Sequence, residues 1–197
     1  MAYRGQGSSP IAAWLLIVSN LLMFVVTIII HRTNPNFIYY NFGLSQATFL
    51  ERPWTLVTSM FLHAGVWHIL ANMVTLYFFG SYLNRLLGTG KFLIVYFAGG
   101  ILGGIIYLIL PPSPITIAIG ASGAIFALGG VLAVMRPKLR VIVFPIPAPL
   151  PLWIAIIGIF VVFSFLPNVA WQAHAGGLAL GLVVGYIFRR RERYRYY

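Results

Sequence analysis

Gly120-Ala121-Ser122-Gly123, continued by Ala124-Ile125-Phe126-Ala127-Leu128-Gly129-Gly130-Val131-Leu132-Ala133-Val134-Met135, is an apolar run that opens on a serine. It holds no second hydroxyl and no charge before Arg136. The last apolar run opens on a histidine, in Ala173-His174-Ala175-Gly176-Gly177. Polar and ionisable groups within a bilayer are costly, and a functional site is the default reading of one. A serine and a histidine on separate helices point to a nucleophile and its base. Two blander readings stand beside this one. Gly, Ala and Ser are common at packed membrane-helix interfaces, and a buried histidine can be hydrogen-bonded for structure alone.

Composition narrows the field. Of 197 residues, 60% are hydrophobic and 8% charged, against about a quarter charged in a soluble domain. This predicts an all-α, multi-pass membrane protein forming one domain over 1–197. With no cysteine, thiol chemistry and disulfides are excluded. There is no Asp, and Glu51 and Glu192 are the sole carboxylate side chains. A Ser-His-Asp triad therefore cannot form, and paired-carboxylate hydrolysis has little to draw on. The net charge of +11 does not point to nucleic acid. Five of its arginines crowd the tail 189–197, and the rest are scattered between apolar runs.

Six membrane spans are expected: Pro10 to Ile30, Ser59 to Asn84, Phe92 to Leu110, Ser122 to Met135, Pro151 to Leu166, and Gln172 to Phe188. The runs are too long for barrel strands, and helices satisfy their own backbone in lipid. The first lacks a small-residue cleavage site after it, so it reads as a retained helix. Six spans put both termini on one side. That side collects Arg4, Arg85, Lys91, Arg136, Lys138, Arg140 and the five tail arginines; the other has Arg32 and Arg52. The asymmetry predicts cytoplasmic termini, with 1–9 a short cytoplasmic N-terminus and 189–197 a basic cytoplasmic tail. The 31–58 loop is then external, and its aromatics suit the membrane interface. The plasma membrane is the expected location.

Depth follows from helix rise. At about 1.5 Å per residue, Ser122 lies ~21 Å above Arg136, His174 ~22 Å above Arg189, and Asn72 ~20 Å above Arg85. His68 is one turn higher than Asn72. In a hydrocarbon core about 30 Å thick, all four share a layer roughly 10 Å below the external surface. The fourth span is too short to cross alone, so residues 111–121 must fill the outer depth as irregular backbone. Such backbone is tolerated only inside protein or beside a water-filled cavity, and hydrolysis needs water.

Gly177 and Gly181 lie on the face of His174, at i+3 and i+7. Such a face lets another backbone approach, and the helix carrying Ser122 and Gly129 is the natural partner. His68 and Asn72 are i,i+4 neighbours and project together. Two donors at the depth of Ser122 suit an oxyanion hole. A zinc site is the other sharp reading, but it lacks a third ligand at this depth. His63, five residues before His68, would sit about 140° around a continuous helix and would not share that task.

The ordered set His63-x4-His68-x3-Asn72, Gly120-x-Ser122-Gly123, then Ala173-His174-x2-Gly177-x3-Gly181 resembles the rhomboid family of intramembrane serine proteases. The resemblance runs at least from Trp54 to Gly185. It implies the six-helix rhomboid fold, no metal and no cofactor. It implies Ser122 as nucleophile, His174 as base, His68 and Asn72 with the Ser122 N–H around the oxyanion, and His63 as a structural support. Gly120, Gly123, Phe126, Gly177 and Gly181 are the expected supporting positions. Transmembrane proteins are the implied substrates, with membrane lipid as surroundings and no nucleic-acid partner. Three positions depart from the family pattern. Thr55 follows Trp54 where Arg is common, Asn84 stands where Glu is common, and Phe126 stands where Tyr is frequent. Two other classes predict different patterns. A silent binder of membrane segments should have lost the serine or the histidine, and a transporter should show internal repeats; neither pattern is present.

Overall fold

The computed structural model describes residues 9–143, 146–167 and 169–194, and the side chains through Arg191. The chain is helical, in the order α1 (Ile11–His31), α2 (Phe37–Phe42), α3 (Thr55–Thr58), α4 (Val66–Leu87), α5 (Thr89–Ile109), α6 (Ser122–Met135), α7 (Leu152–Ser164) and α8 (Trp171–Tyr194). A 3-10 turn, Ser59–Phe61, follows α3, and a two-stranded hairpin, Arg140–Val141 with Leu150–Pro151, joins α6 to α7. Each of the six expected spans contains a helix. The second differs: it is a short helical piece and α4, bent by 95° across the break between them. Among the described residues, α1, α5 and α8 are each long and apolar enough to cross a bilayer, and the bent pair makes a fourth.

The centre of the bundle is α6. Every residue from Gly123 to Ala133 is buried, so this helix is apolar on all sides because it meets protein on all sides. It packs most extensively on α8, then on α5, α4 and α7. The peripheral α1 is the opposite case. Leu15, Leu22 and Ile29 are 61–62% exposed and fall at i, i+7 and i+14, which makes one apolar stripe along the helix. Only a lipid environment suits such a stripe.

Close approach of α6 and α8 comes from glycine. A Cβ on Gly177 would run into the Gly123 carbonyl, and one on Gly181 into the Ala127 carbonyl. At Gly185 it would lie 2.9 Å from the Val131 Cα. The matching face of α6 corrects the expectation built on Gly129. A Cβ at Gly129 would meet Ile156 and Phe79, on α7 and α4. Gly130 is the residue turned to α8, 2.9 Å from the Leu178 carbonyl by the same measure. The seam is thus Gly123, Ala127 and Gly130, one residue round from the face of Ser122, which leaves the serine beside the seam rather than in it.

Irregular backbone closes the end of the bundle above α6. Leu44 and Ala118 pair as an antiparallel bridge at 3.0 and 2.8 Å. The Ala47 N–H and the Ser45 hydroxyl both donate to the Pro114 carbonyl, at 2.9 and 2.8 Å. Gly120 N–H donates to the Ser59 carbonyl at 2.9 Å. Backbone in 114–120 therefore finds partners in protein, as it must at this depth. Thr55 and Asn84, which depart from the resembled pattern, both make hydrogen bonds. Thr55 is fully buried and donates to the Arg52 carbonyl at 2.7 Å; Trp54 donates to the Asn41 carbonyl at 2.9 Å. Asn84 reaches the Ser9 carbonyl at 2.8 Å and ties the end of α4 to the start of α1.

Candidate active site

Ser122 is the first residue of α6, after Ala121 as N-cap. The first N–H groups of a helix have no partner within it, so the serine hydroxyl stands next to unused backbone donors at the positive end of the helix. His174 lies in the first turn of α8 and is 5% exposed. Its Nε2 is 2.7 Å from the Ser122 Oγ. The two residues expected to act together thus meet directly, across the glycine seam.

The imidazole is held by rings rather than by a carboxylate. Phe126, one turn after Ser122, stacks on His174 with centroids 4.6 Å apart and planes at 30°. Phe163 of α7 stands 6.4 Å away, and Phe160 packs edge-on against Phe126 at 6.1 Å. For Ser122 to donate to Nε2, the proton of a neutral imidazole must sit on Nδ1. That Nδ1 is buried and has no described side-chain or backbone partner. No Asp exists in the chain to take that place.

Three residues of the second motif gather nearby. His68 Nδ1 faces the Ala64 N–H at 3.4 Å, an arrangement that favours the tautomer with the proton on Nε2. Nε2 points at Gly120: a Cβ there would lie 2.8 Å from it and 3.7 Å from Ser122 Oγ. The φ of Gly120 is +123°, a region that side chains rarely adopt. Gly120 is therefore fixed twice, by its backbone and by the imidazole against it. Asn72 is buried, and its amide nitrogen donates to the His68 carbonyl at 2.8 Å. One of its two N–H groups is spent inside α4, and the other remains.

His63 is not where a continuous helix would put it. It lies in the irregular stretch between the 3-10 turn and α4, since α4 begins at Val66. The 140° separation from His68 therefore has no meaning here. The His63 ring is fully buried and packs edge-on against His68, with centroids 4.9 Å apart. It buttresses the imidazole that faces Gly120.

A small cavity of about 30 Å³ adjoins Ser122, walled by Ser59, Met60, Gly100, Gly104 and Ala118. It has room for about one or two water molecules. None of these wall residues stood out in the sequence, because they come from three separate segments. Gln172 was also missed. It is buried and donates to the Leu110 carbonyl at 2.8 Å, which fastens the first turn of α8 to the end of α5. A polar residue in the turn that carries His174 was the available signal. Among the described residues, no cluster of three His, Asp or Glu side chains is placed to hold a metal.

A Rhomboid domain matches residues 50–191. RHOMBOID-like protein 1 of Arabidopsis thaliana is 35% identical over 155 residues, covering 78% of this chain and 39% of that protein. The putative rhomboid protease YdcA of Bacillus subtilis is 32% identical over 158 residues, covering 80% of this chain and 76% of that protein. Rhomboid protease GluP of the same bacterium is 32% identical over 180 residues, covering 89% of this chain and 34% of that protein. The chain thus spans about two fifths of the plant relative, about a third of GluP and about three quarters of YdcA.

Proposed function

Because the chain belongs to the rhomboid family and is a multi-pass integral membrane protein, we propose that it is a serine protease that cleaves membrane-anchored single-span proteins near the external membrane face. The observation that carries this reading is the 2.7 Å contact between Ser122 Oγ and His174 Nε2. Ser122 attacks the scissile carbonyl carbon while His174 Nε2 takes its proton. The carbonyl oxygen becomes an oxyanion. The Ser122 N–H, His68 Nε2–H and the spare N–H of Asn72 are the donors placed to receive it. His174 then returns the proton to the leaving amine, and an acyl-enzyme remains on Ser122. Water, deprotonated by His174, hydrolyses the ester and restores the dyad. The water-sized cavity beside Ser122 supports that last step. Phe126 supports the orientation that a third catalytic residue provides in a triad.

The topology proposed with this reaction has six spans in one domain, with both termini cytoplasmic. The distribution of Lys and Arg supports it. So does the length of α6. Its 14 residues cover ~21 Å at about 1.5 Å per residue, short of a bilayer core about 30 Å thick. Ser122 therefore starts below the surface, under a roof of irregular backbone. The loosest wall is α7, whose exposed Trp153, Ile157 and Val161 face away from the bundle; a substrate segment entering from lipid would come past it.

A mechanism-based serine-hydrolase probe tests the chemistry without knowledge of the natural substrate. It should label the wild-type protein in detergent and leave Ser122→Ala unlabelled. Equal labelling of both would overturn the assignment of the nucleophile.

A further inference from the structure

The connection between α6 and α7 lies at the end of the bundle opposite Ser122. Lys138 and Arg140 stand near its start. From Val141 to Leu152 no side chain then carries a charge or a hydrogen-bonding group. Connections that run through water turn on polar residues and glycine. This one has four prolines instead, at 145, 147, 149 and 151.

The base of the hairpin is fastened to the bundle. Leu139 and Val141 pack on the hydrophobic core, and the Leu152 N–H donates to the Leu139 carbonyl at 2.8 Å. Arg140 and Val141 pair with Pro151 and Leu150 as β1 and β2. Beyond that base the apolar side chains leave the core. Ile142 is 74% exposed, and Ile146, Pro147, Ala148 and Pro149 are exposed as well.

Backbone and charge decide what covers them. Backbone that enters hydrocarbon must have its N–H groups satisfied, and proline has none. Between 145 and 151 only Ile146, Ala148 and Leu150 carry one. Ile146 donates to the Val143 carbonyl at 2.6 Å, and Leu150 pairs with Val141 in the hairpin. Few donors are left to desolvate. At the base, Lys138 and Arg140 are exposed, and no acidic residue occurs between Glu51 and Glu192. The first turn of α7 carries an exposed Trp153, a residue type enriched where membrane meets water. From that turn onward α7 presents apolar residues to lipid, so the hairpin springs from the level where lipid begins. A protein that reads proline-rich segments would need Pro-x-x-Pro spacing; here proline recurs at every second residue.

We propose that this hairpin enters the leaflet at its end of the bundle without crossing it. Ile142 and Ile146 lie among the upper acyl chains, and Lys138 and Arg140 meet the phosphates of anionic lipids around them. The anchor holds the start of α7, the loosest wall of the bundle, at a fixed depth. The inference does not depend on the proteolytic reading.

The chain has no cysteine, so single cysteines can report depth. Ile142→Cys, Ile146→Cys and a control, Gly90→Cys, are each labelled with bimane in the full-length protein and reconstituted in mixed phosphatidylcholine–phosphatidylglycerol vesicles. Gly90 is exposed at the start of α5, at the same end of the bundle, and a Cβ there meets open space. All three positions are exposed, so each variant should keep the wild-type thermal midpoint. Lipid with a nitroxide high on its acyl chain should quench the labels at 142 and 146, and iodide on both sides of the membrane should not. Iodide should quench the label at 90. Lipid quenching at 142 and 146 should weaken in vesicles of phosphatidylcholine alone, and equally when Lys138→Gln and Arg140→Gln are combined. The proposal is overturned if iodide quenches 142 and 146 as it quenches 90, the result expected of a docking surface for a soluble protein. It is also overturned if lipid quenching is indifferent to both the anionic lipid and the two cations.

Discussion

Gly177 of α8 rests directly on the Gly123 carbonyl of α6, leaving no room for a side chain. Gly123 follows Ser122, and Gly177 is less than one turn past His174, so the contact sets the separation of the dyad. Gly177→Ala should therefore push the helices apart at the point of chemistry. Overpacking of this kind costs about 1–3 kcal/mol. Thermal midpoint and probe labelling should fall together. Labelling that survives at the wild-type rate would mean that the dyad is positioned by something else.

Gly120 is held at positive φ with the His68 ring against it. Gly120→Ala should lose activity even where the protein still folds. The backbone strain is about 1–3 kcal/mol, and the added methyl displaces the imidazole that faces the oxyanion position. Turnover should drop while substrate binding, measured with the Ser122→Ala background, changes little. An active Gly120→Ala protein would remove His68 from the proposed site.

Phe126 stacks on His174, with ring centroids 4.6 Å apart. Phe126→Tyr should retain activity, since the ring face is unchanged. Phe126→Ala should slow turnover by up to about tenfold, in line with about 0.5–1.5 kcal/mol for an aromatic pair. The measurement is kcat for both variants against a single-span substrate. An unimpaired Phe126→Ala would show that the ring only fills space.

Asn72 donates to the His68 carbonyl, so its removal acts in two ways. If its second N–H receives the oxyanion, Asn72→Ala should lower turnover by about 10²–10³ at most. His68 and the backbone donor remain, so the loss should stay below that of Ser122→Ala. A purely structural role would lower the thermal midpoint and leave turnover per folded molecule near normal. Measuring both on one preparation separates the two, and a destabilised but normally active variant excludes Asn72 from the oxyanion site.

Much of this was legible in the sequence, because burial in lipid makes periodicity and polarity easy to read. An apolar run that opens on Ser122 and another that opens on His174 already fixed the helices, and counting to Arg136 and Arg189 put both side chains at one depth. What failed was rotational detail. Gly129 has the right spacing from Ser122 to face α8, yet α6 is turned so that Gly130 makes that contact. A helix buried on every side has no polar face to reveal its orientation. The placement of His63 on a continuous helix failed for a related reason. The break before α4 falls at an extended residue, Gly65, whose φ of −179° any amino acid can adopt, so no forbidden conformation marks it. The pairing of Leu44 with Ala118 and the walls of the cavity beside Ser122 join segments far apart in the chain, and no local pattern records them.

The proposed dyad rests on one hydrogen bond, Ser122 Oγ to His174 Nε2, and double-mutant kinetics test it most directly. Cleavage of a single-span reporter should be measured for wild type, Ser122→Ala, His174→Ala and the double variant, with folding of each checked by thermal midpoint. A dyad acts as one unit, so each single change should abolish turnover and the double change should add nothing further. Wild-type turnover by Ser122→Ala, or a double variant far slower than either single one, would contradict it.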